Sequence, residues 1–197
     1  MIIRITAFLA VVFLALAGAP AMAADPVTGL VKSDPQPAAD SLQPGLGVTY
    51  YAGVFNSTDE IPGWAKYRKG KKGEPILLLD YNVGDGEVLT SGRVDEVAAD
   101  IRGFIRFDEV GTYTIAMQSN DGIDLTIGGK SIIKDTEVHA DRYSELVPVE
   151  VAEPGWYDFH LLYFEKRVTS TVELFWNAPG KTGSLDFVPA EAFAHTP

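Results

Sequence analysis

The stretch IRGFIRFDEVGTYTIAMQSNDGIDLTIGGKSII, residues 101–133, alternates apolar and polar positions over most of its length. Ile101, Gly103, Ile105 and Phe107 fall on one face, with Arg102 and Arg106 on the other. After a turn at residues 109–111, Tyr113, Ile115 and Met117 repeat the alternation, and Ile123, Leu125 and Ile127 continue it. A period of two belongs to an extended strand with one buried face. Gly128 and Gly129 then supply the positive φ angles of a two-residue hairpin turn. In PGWYDFHLLYFE, Tyr157, Phe159, Leu161 and Tyr163 share one face. The opposite face passes from Asp158 and His160 to Leu162 and Phe164, as expected where another element covers the strand's far end. STVELFW follows, with Val172, Leu174 and Trp176 on one side. The segment DEVAAD is open to one helical turn or to the start of a strand. With no sustained 3.6-residue apolar period, the chain reads as all-β, an antiparallel sandwich or barrel.

Residues 1–23 have an early cation (Arg4), an apolar run from Ile5 to about Ala19, and the small-residue triplet Ala21-Met22-Ala23. This is the layout of a secretory signal peptide, and the run is short of the ~20 residues that span a bilayer. It predicts an exported protein, periplasmic or extracellular, with no membrane insertion after cleavage. Cysteine is absent, which excludes disulfides, lipid attachment at an N-terminal Cys and a thiol nucleophile. Residues 24–44 hold four prolines and few large apolar side chains, which predicts a flexible tether before a domain at 45–194. The net charge of −11 opposes general binding to nucleic acid or anionic membrane. One local exception, KYRKGKKG, carries five cations between Lys66 and Lys72. It reads as a solvated loop or as a contact patch for an acidic glycan.

The ordered set GLGVTYYAG, IRGFIRFDEVGTYTIAMQSNDGIDLTIGGKSII, PGWYDFHLLYFE, STVELFWNAPG and FVPAEAF resembles the PA-fourteen domain, the anthrax protective-antigen-type module of yeast flocculins and bacterial glycosidases. The resemblance spans most of the chain after residue 44 and implies a β-sandwich-like barrel. In glycan-binding members, two adjacent Asp residues ahead of the Gly hold calcium, often through a cis peptide, and the ion takes sugar hydroxyls. Here Asn120 and Asp121 stand at those positions, so one negative charge is missing from a site where ligand charge tunes affinity. The family's second ligand loop corresponds to EKRVTST, with Lys166 and Arg167. These cations repel calcium if they point inward, and they could equally grip an acidic sugar. A plain turn before Gly122 also accounts for Asn120 and Asp121, because both residue types favour turns.

Among the aromatics, Trp64, with Tyr67 nearby, is the candidate for stacking on a sugar face. His160 and Asp158 share a strand face, but zinc needs three or four ligands and nothing supplies the others. His139 lies in a polar loop with Asp135, Glu137 and Asp141, which reads as solvated. No Gly-rich phosphate loop or Gly-x-Ser-x-Gly elbow is present. The functional expectation is an exported, non-catalytic module that binds carbohydrate, with calcium as a candidate cofactor at Asn120 and Asp121. The alternatives are a domain that meets an envelope protein without ion or sugar, and a glycoside hydrolase with two carboxylates across one sugar.

Overall fold

The computed structural model describes residues 25–197, and the expected signal peptide lies outside them. Fourteen strands follow in chain order: β1 (Gln43–Pro44), β2 (Gly47–Ala52), β3 (Lys71–Lys72), β4 (Asp80–Gly84), β5 (Val97–Phe107), β6 (Gly111–Asn120) and β7 (Ile123–Ile127), then β8 (Lys130–Asp135), β9 (Arg142–Tyr143), β10 (Val147–Val151), β11 (Gly155–Glu165), β12 (Ser170–Asn177), β13 (Asp186–Phe187) and β14 (Phe193–His195). They form two open antiparallel sheets, so the fold is a sandwich and not a closed barrel. One sheet runs β1-β14-β5-β11-β7-β8, with β2 also on β5 and β3 on β2. The other runs β10-β6-β12-β13, with β4 on β12 and β9 on β6.

The period-two faces meet between the sheets. Ile101, Ile105 and Phe107 of β5, Ile115 and Met117 of β6, and Leu161 and Tyr163 of β11 join one buried cluster. Phe107 packs edge-on against Tyr113 across the gap, with ring centroids 4.7 Å apart. Burying an Ile, Leu or Phe side chain contributes about 1.5–3 kcal/mol, so a core of this size carries the fold without disulfides. The alternative strand reading of DEVAAD holds, since β5 begins at Val97. The β7–β8 turn has Gly128 at φ +53° and Gly129 at φ +74°, as a two-residue hairpin requires.

Leu162 and Phe164, the apolar end of β11's outer face, are covered by a second cluster of Tyr51, Phe55, Ile61 and Ala98. Ile61 opens the one α-helix among the described residues, α1 (Ile61–Tyr67). Ser57 accepts from the Asp59 N–H to start the turn ahead of it. The helix is seven residues long, too short for a 3.6-residue apolar period to register in the sequence.

The tether expectation for residues 24–44 needs correction, because from residue 25 onward this segment is docked. Val27 bridges Val149 of β10, and Lys32 bridges Tyr157 of β11. Gln36 donates to the Trp156 carbonyl at 2.9 Å and accepts its N–H at 2.8 Å, so a side-chain amide completes the edge of β11. Ser33 Oγ donates to Asp158 at 2.8 Å. Proline removes backbone donors but leaves carbonyls and neighbouring residues free to pair at a strand edge.

Candidate functional site

The chain changes sheets twice at one end of the sandwich. Asn120 ends β6 in one sheet and Ile123 starts β7 in the other. Glu165 ends β11 and Ser170 starts β12, which returns the chain. Residues 120–122 and 165–170 therefore meet at a single tip. Gly122 is required there, since an added Cβ would lie 2.5 Å from the Thr136 carbonyl oxygen and 2.7 Å from the Phe164 ring.

Asp121 is only 4% exposed, and each of its carboxylate oxygens accepts one backbone N–H. Oδ1 accepts the His139 backbone N–H at 3.1 Å, and Oδ2 accepts the Lys166 backbone N–H at 2.8 Å. Burial raises its pKa, and the two N–H groups partly offset the rise. Asn120 Nδ2 donates to Thr169 Oγ1 at 2.7 Å. The Asn120 carbonyl accepts the Tyr163 hydroxyl at 2.7 Å, and that hydroxyl also meets Ser170 Oγ at 3.0 Å. Tyr163 is fully buried, which raises its pKa. The Asn120–Asp121 peptide is cis. These two residues thus hold the second loop in place, a role that a plain turn would not have.

Glu165 lies in the second loop but is not among the residues that the sequence marks as a candidate. It is completely buried, and neither carboxylate oxygen has a hydrogen-bond partner among the described residues. Burial first, then the nearby charges of Asp95 and Asp121, push its pKa up to about 7. The signal was available in the sequence: residues 157, 159, 161 and 163 point inward, and 165 continues that register.

The other candidates disperse. Lys166 turns its amine away to Asn56 Oδ1 at 2.8 Å. Arg167 lines an open groove of about 850 Å³ with Arg93, Asp95 and Glu96. Trp64 is not at the tip. It is half-buried on the outer face of the sheet, with its ring 4.6 Å from Phe55 and the Arg68 guanidinium 4.3 Å above it. His160 pairs with Asp100 of β5 at 3.0 Å and not with Asp158, which Ser33 engages. The loop around His139, expected to be solvated, is tied in through Asp121. The His139 side chain is 5% exposed, with Nε2 3.3 Å from Asp135.

Calcium takes six to eight oxygen ligands. The paired positions at the tip offer one carboxylate, with both oxygens already accepting N–H groups, and one neutral amide. Among the described residues no group of three or more His, Asp or Glu side chains is placed to hold a metal ion. The side chains present do not complete a calcium site. What the tip can do is present hydrogen-bonding groups on a rigid frame, because each loop is fixed by the other.

Comparison with known proteins places this geometry. The PA14 domain profile matches residues 81–187. Among solved structures, the PA14 domain of the MpAFP antifreeze protein superposes with a TM-score of 0.68 at 14% identity, covering 83% of this chain and 97% of that one. The PA14 sugar-binding domain of an RTX adhesin gives 0.62 at 12% identity, covering 77% and 98%. The epithelial adhesin 9 A domain of Candida glabrata, in complex with Galβ1-4GlcNAc, gives 0.63 at 13% identity, covering 87% and 96%. No curated protein matches the sequence. With more than half of its length matched by the profile, the chain belongs to the PA14 domain family.

Proposed function

We propose that this protein is a non-catalytic, exported carbohydrate-binding module whose ligand sits at the tip formed by residues 120–122 and 165–170. The observation that carries the reading is the reciprocal tie between the two loops, Asp121 to the Lys166 N–H and Asn120 to Thr169. It fixes two polar segments from different sheets side by side, and such preorganisation lowers the entropic cost of holding a hydroxyl-rich ligand. The Galβ1-4GlcNAc complex of the epithelial adhesin 9 A domain and the sugar-binding PA14 domain of the RTX adhesin support the ligand class. Among the described residues no helix is long and apolar enough to cross a membrane. The donor set at Asn120 and Asp121 favours binding that does not depend on calcium. No comparable observation stands behind the protein-docking or hydrolase readings.

A glycan array probed with the wild-type chain and with Asp121→Ala, each with and without chelator, tests this. Wild type should retain a galactose-type or related glycan in chelator, and Asp121→Ala should lose it. An empty array, or equal binding by the variant, overturns the tip as the site.

A further inference from the structure

The second polar feature of the molecule is the cationic segment that the tip does not use. Five of the chain's 16 lysines and arginines lie within residues 66–72, although the net charge is −11. All five, Lys66, Arg68, Lys69, Lys71 and Lys72, are exposed, and among the described residues none forms a salt bridge. Elsewhere the common pattern is a paired cation: Lys32 with Glu153, Arg102 with Asp100, Arg106 with Asp108, Lys134 with Asp59 and Asp124, and Arg142 with Asp135. An acidic protein has ample carboxylates to neutralise a basic stretch, yet even Glu60 and Glu74, which flank this one in sequence, pair with none of its cations.

Two aromatic rings are interleaved with these charges. Tyr67 is 79% exposed, and the Lys66 amine lies 5.3 Å from its ring centroid. Trp64 carries Arg68 on its face, and with Tyr51, Ala52 and Lys69 these two residues line a shallow cavity of about 350 Å³. The Trp64 ring can lie there because Gly53 has no side chain; a Cβ at Gly53 would fall 2.3 Å from it. Lysine on an edge strand discourages unwanted strand addition, and that suffices for Lys71 and Lys72 of β3. It does not account for an exposed tyrosine or for an arginine stacked on a tryptophan.

We infer that the face built by α1, residues 68–70 and β3 is a second binding surface, for an anionic polysaccharide carrying carboxylate or sulfate groups. Each ring beside a cation matches a ligand that repeats an apolar sugar face and a negative group. The short patch and the acidic remainder of the surface disfavour a duplex nucleic acid, which needs many phosphate contacts. The surface adjoins the tip, since Asn56, next to Phe55, receives the Lys166 amine, but it does not require Asp121.

The test is affinity electrophoresis of the full chain through polygalacturonate, through neutral dextran and against a single-stranded DNA oligonucleotide. Polygalacturonate should retard the wild-type chain, dextran should not, and DNA should compete poorly. The triple variant Lys69→Ala/Lys71→Ala/Lys72→Ala should bind about tenfold more weakly, the sum expected of three exposed charge contacts. Tyr67→Ala should weaken binding several-fold at a salt concentration where charge is screened. Asp121→Ala should bind polygalacturonate like wild type, which separates this surface from the tip. Absence of retardation, equal competition by DNA, or loss confined to Asp121→Ala overturns the inference.

Discussion

The Asp121 carboxylate accepts the Lys166 backbone N–H at 2.8 Å, tying the turn between the sheets to the loop that returns from β11. The same carboxylate accepts the His139 N–H, so one side chain anchors three segments of backbone. Under the proposed function, the residue that anchors the tip is also the one that shapes its binding surface.

Asp121→Ala should orphan both N–H groups. Each unsatisfied buried donor costs about 1–3 kcal/mol, so a loss of roughly 2–6 kcal/mol is expected in urea denaturation. Asp121→Asn keeps one acceptor and should recover part of it. A neutral result would mean that water replaces the carboxylate without cost.

Glu165 makes stability depend on pH. Its carboxyl titrates at 4.5 when unfolded and about 7 when folded. The folded chain thus keeps a proton that the unfolded chain releases between those values. The associated stability is present below about 4.5 and lost as pH rises through about 7, up to about 3 kcal/mol in all. Glu165→Gln should flatten this slope and stabilise the chain at pH above about 7. Asp100, where His160 and Arg102 outweigh burial, and Asp135, held low by Arg142, act in the opposite sense, and only as pH falls below their ordinary value of 3.8. Denaturation series for both proteins across neutral pH check the sign.

Two glycines should respond differently to alanine. Gly122→Ala places a methyl against the Thr136 carbonyl and the Phe164 ring, so the tip must move and both stability and glycan binding should fall. Gly129→Ala meets no atom within 4 Å and bears only the cost of φ +74°, about 1 kcal/mol. Paired melting curves with a binding assay separate clash from backbone strain.

Millimolar calcium should leave the melting temperature unchanged, because the donor count at Asn120 and Asp121 falls short of a calcium cage. A rise that Asp121→Ala abolishes would restore the ion-dependent form of the site.

Gln36→Ala should loosen the docked N-terminal segment at Trp156, while the Lys32 and Ser33 contacts to β11 persist. Two hydrogen bonds to Trp156 are lost, about 1–2 kcal/mol locally, and the Trp156 amide should exchange with solvent faster while the β5–β11 ladder stays protected.

The sandwich was legible because strands β5, β6, β7 and β11 each bury one face, and a period of two survives in the sequence wherever that holds. Covering of β11's far end was legible too, from Leu162 and Phe164, although α1 itself was not. The docking of residues 25–36 was hidden because it is made mostly by backbone groups and by the polar side chains of Lys32, Ser33 and Gln36, and the two apolar residues that reach the core, Val27 and Leu30, are too few to form a pattern. At the tip, Asn120 and Asp121 were found by resemblance, but their partners were not. The His139 and Lys166 contacts are made by backbone amides, which every residue except proline carries. The place of Trp64 beside the basic segment points to a stacking ring, whereas its contacts with Phe55 and Arg68 depend on a turn at Gly53 that composition does not reveal.

The early residues 27–36 fasten to β10 and to the start of β11, whereas Asp121 and Lys166 lie at the opposite pole, roughly 25–30 Å away along the strands. A pull between the tip and this docked segment acts lengthwise, parallel to β5 and β11, which pair over eleven residues. Such a load shears many hydrogen bonds together instead of unzipping them one by one, giving the domain the mechanics of a strap fixed at both ends.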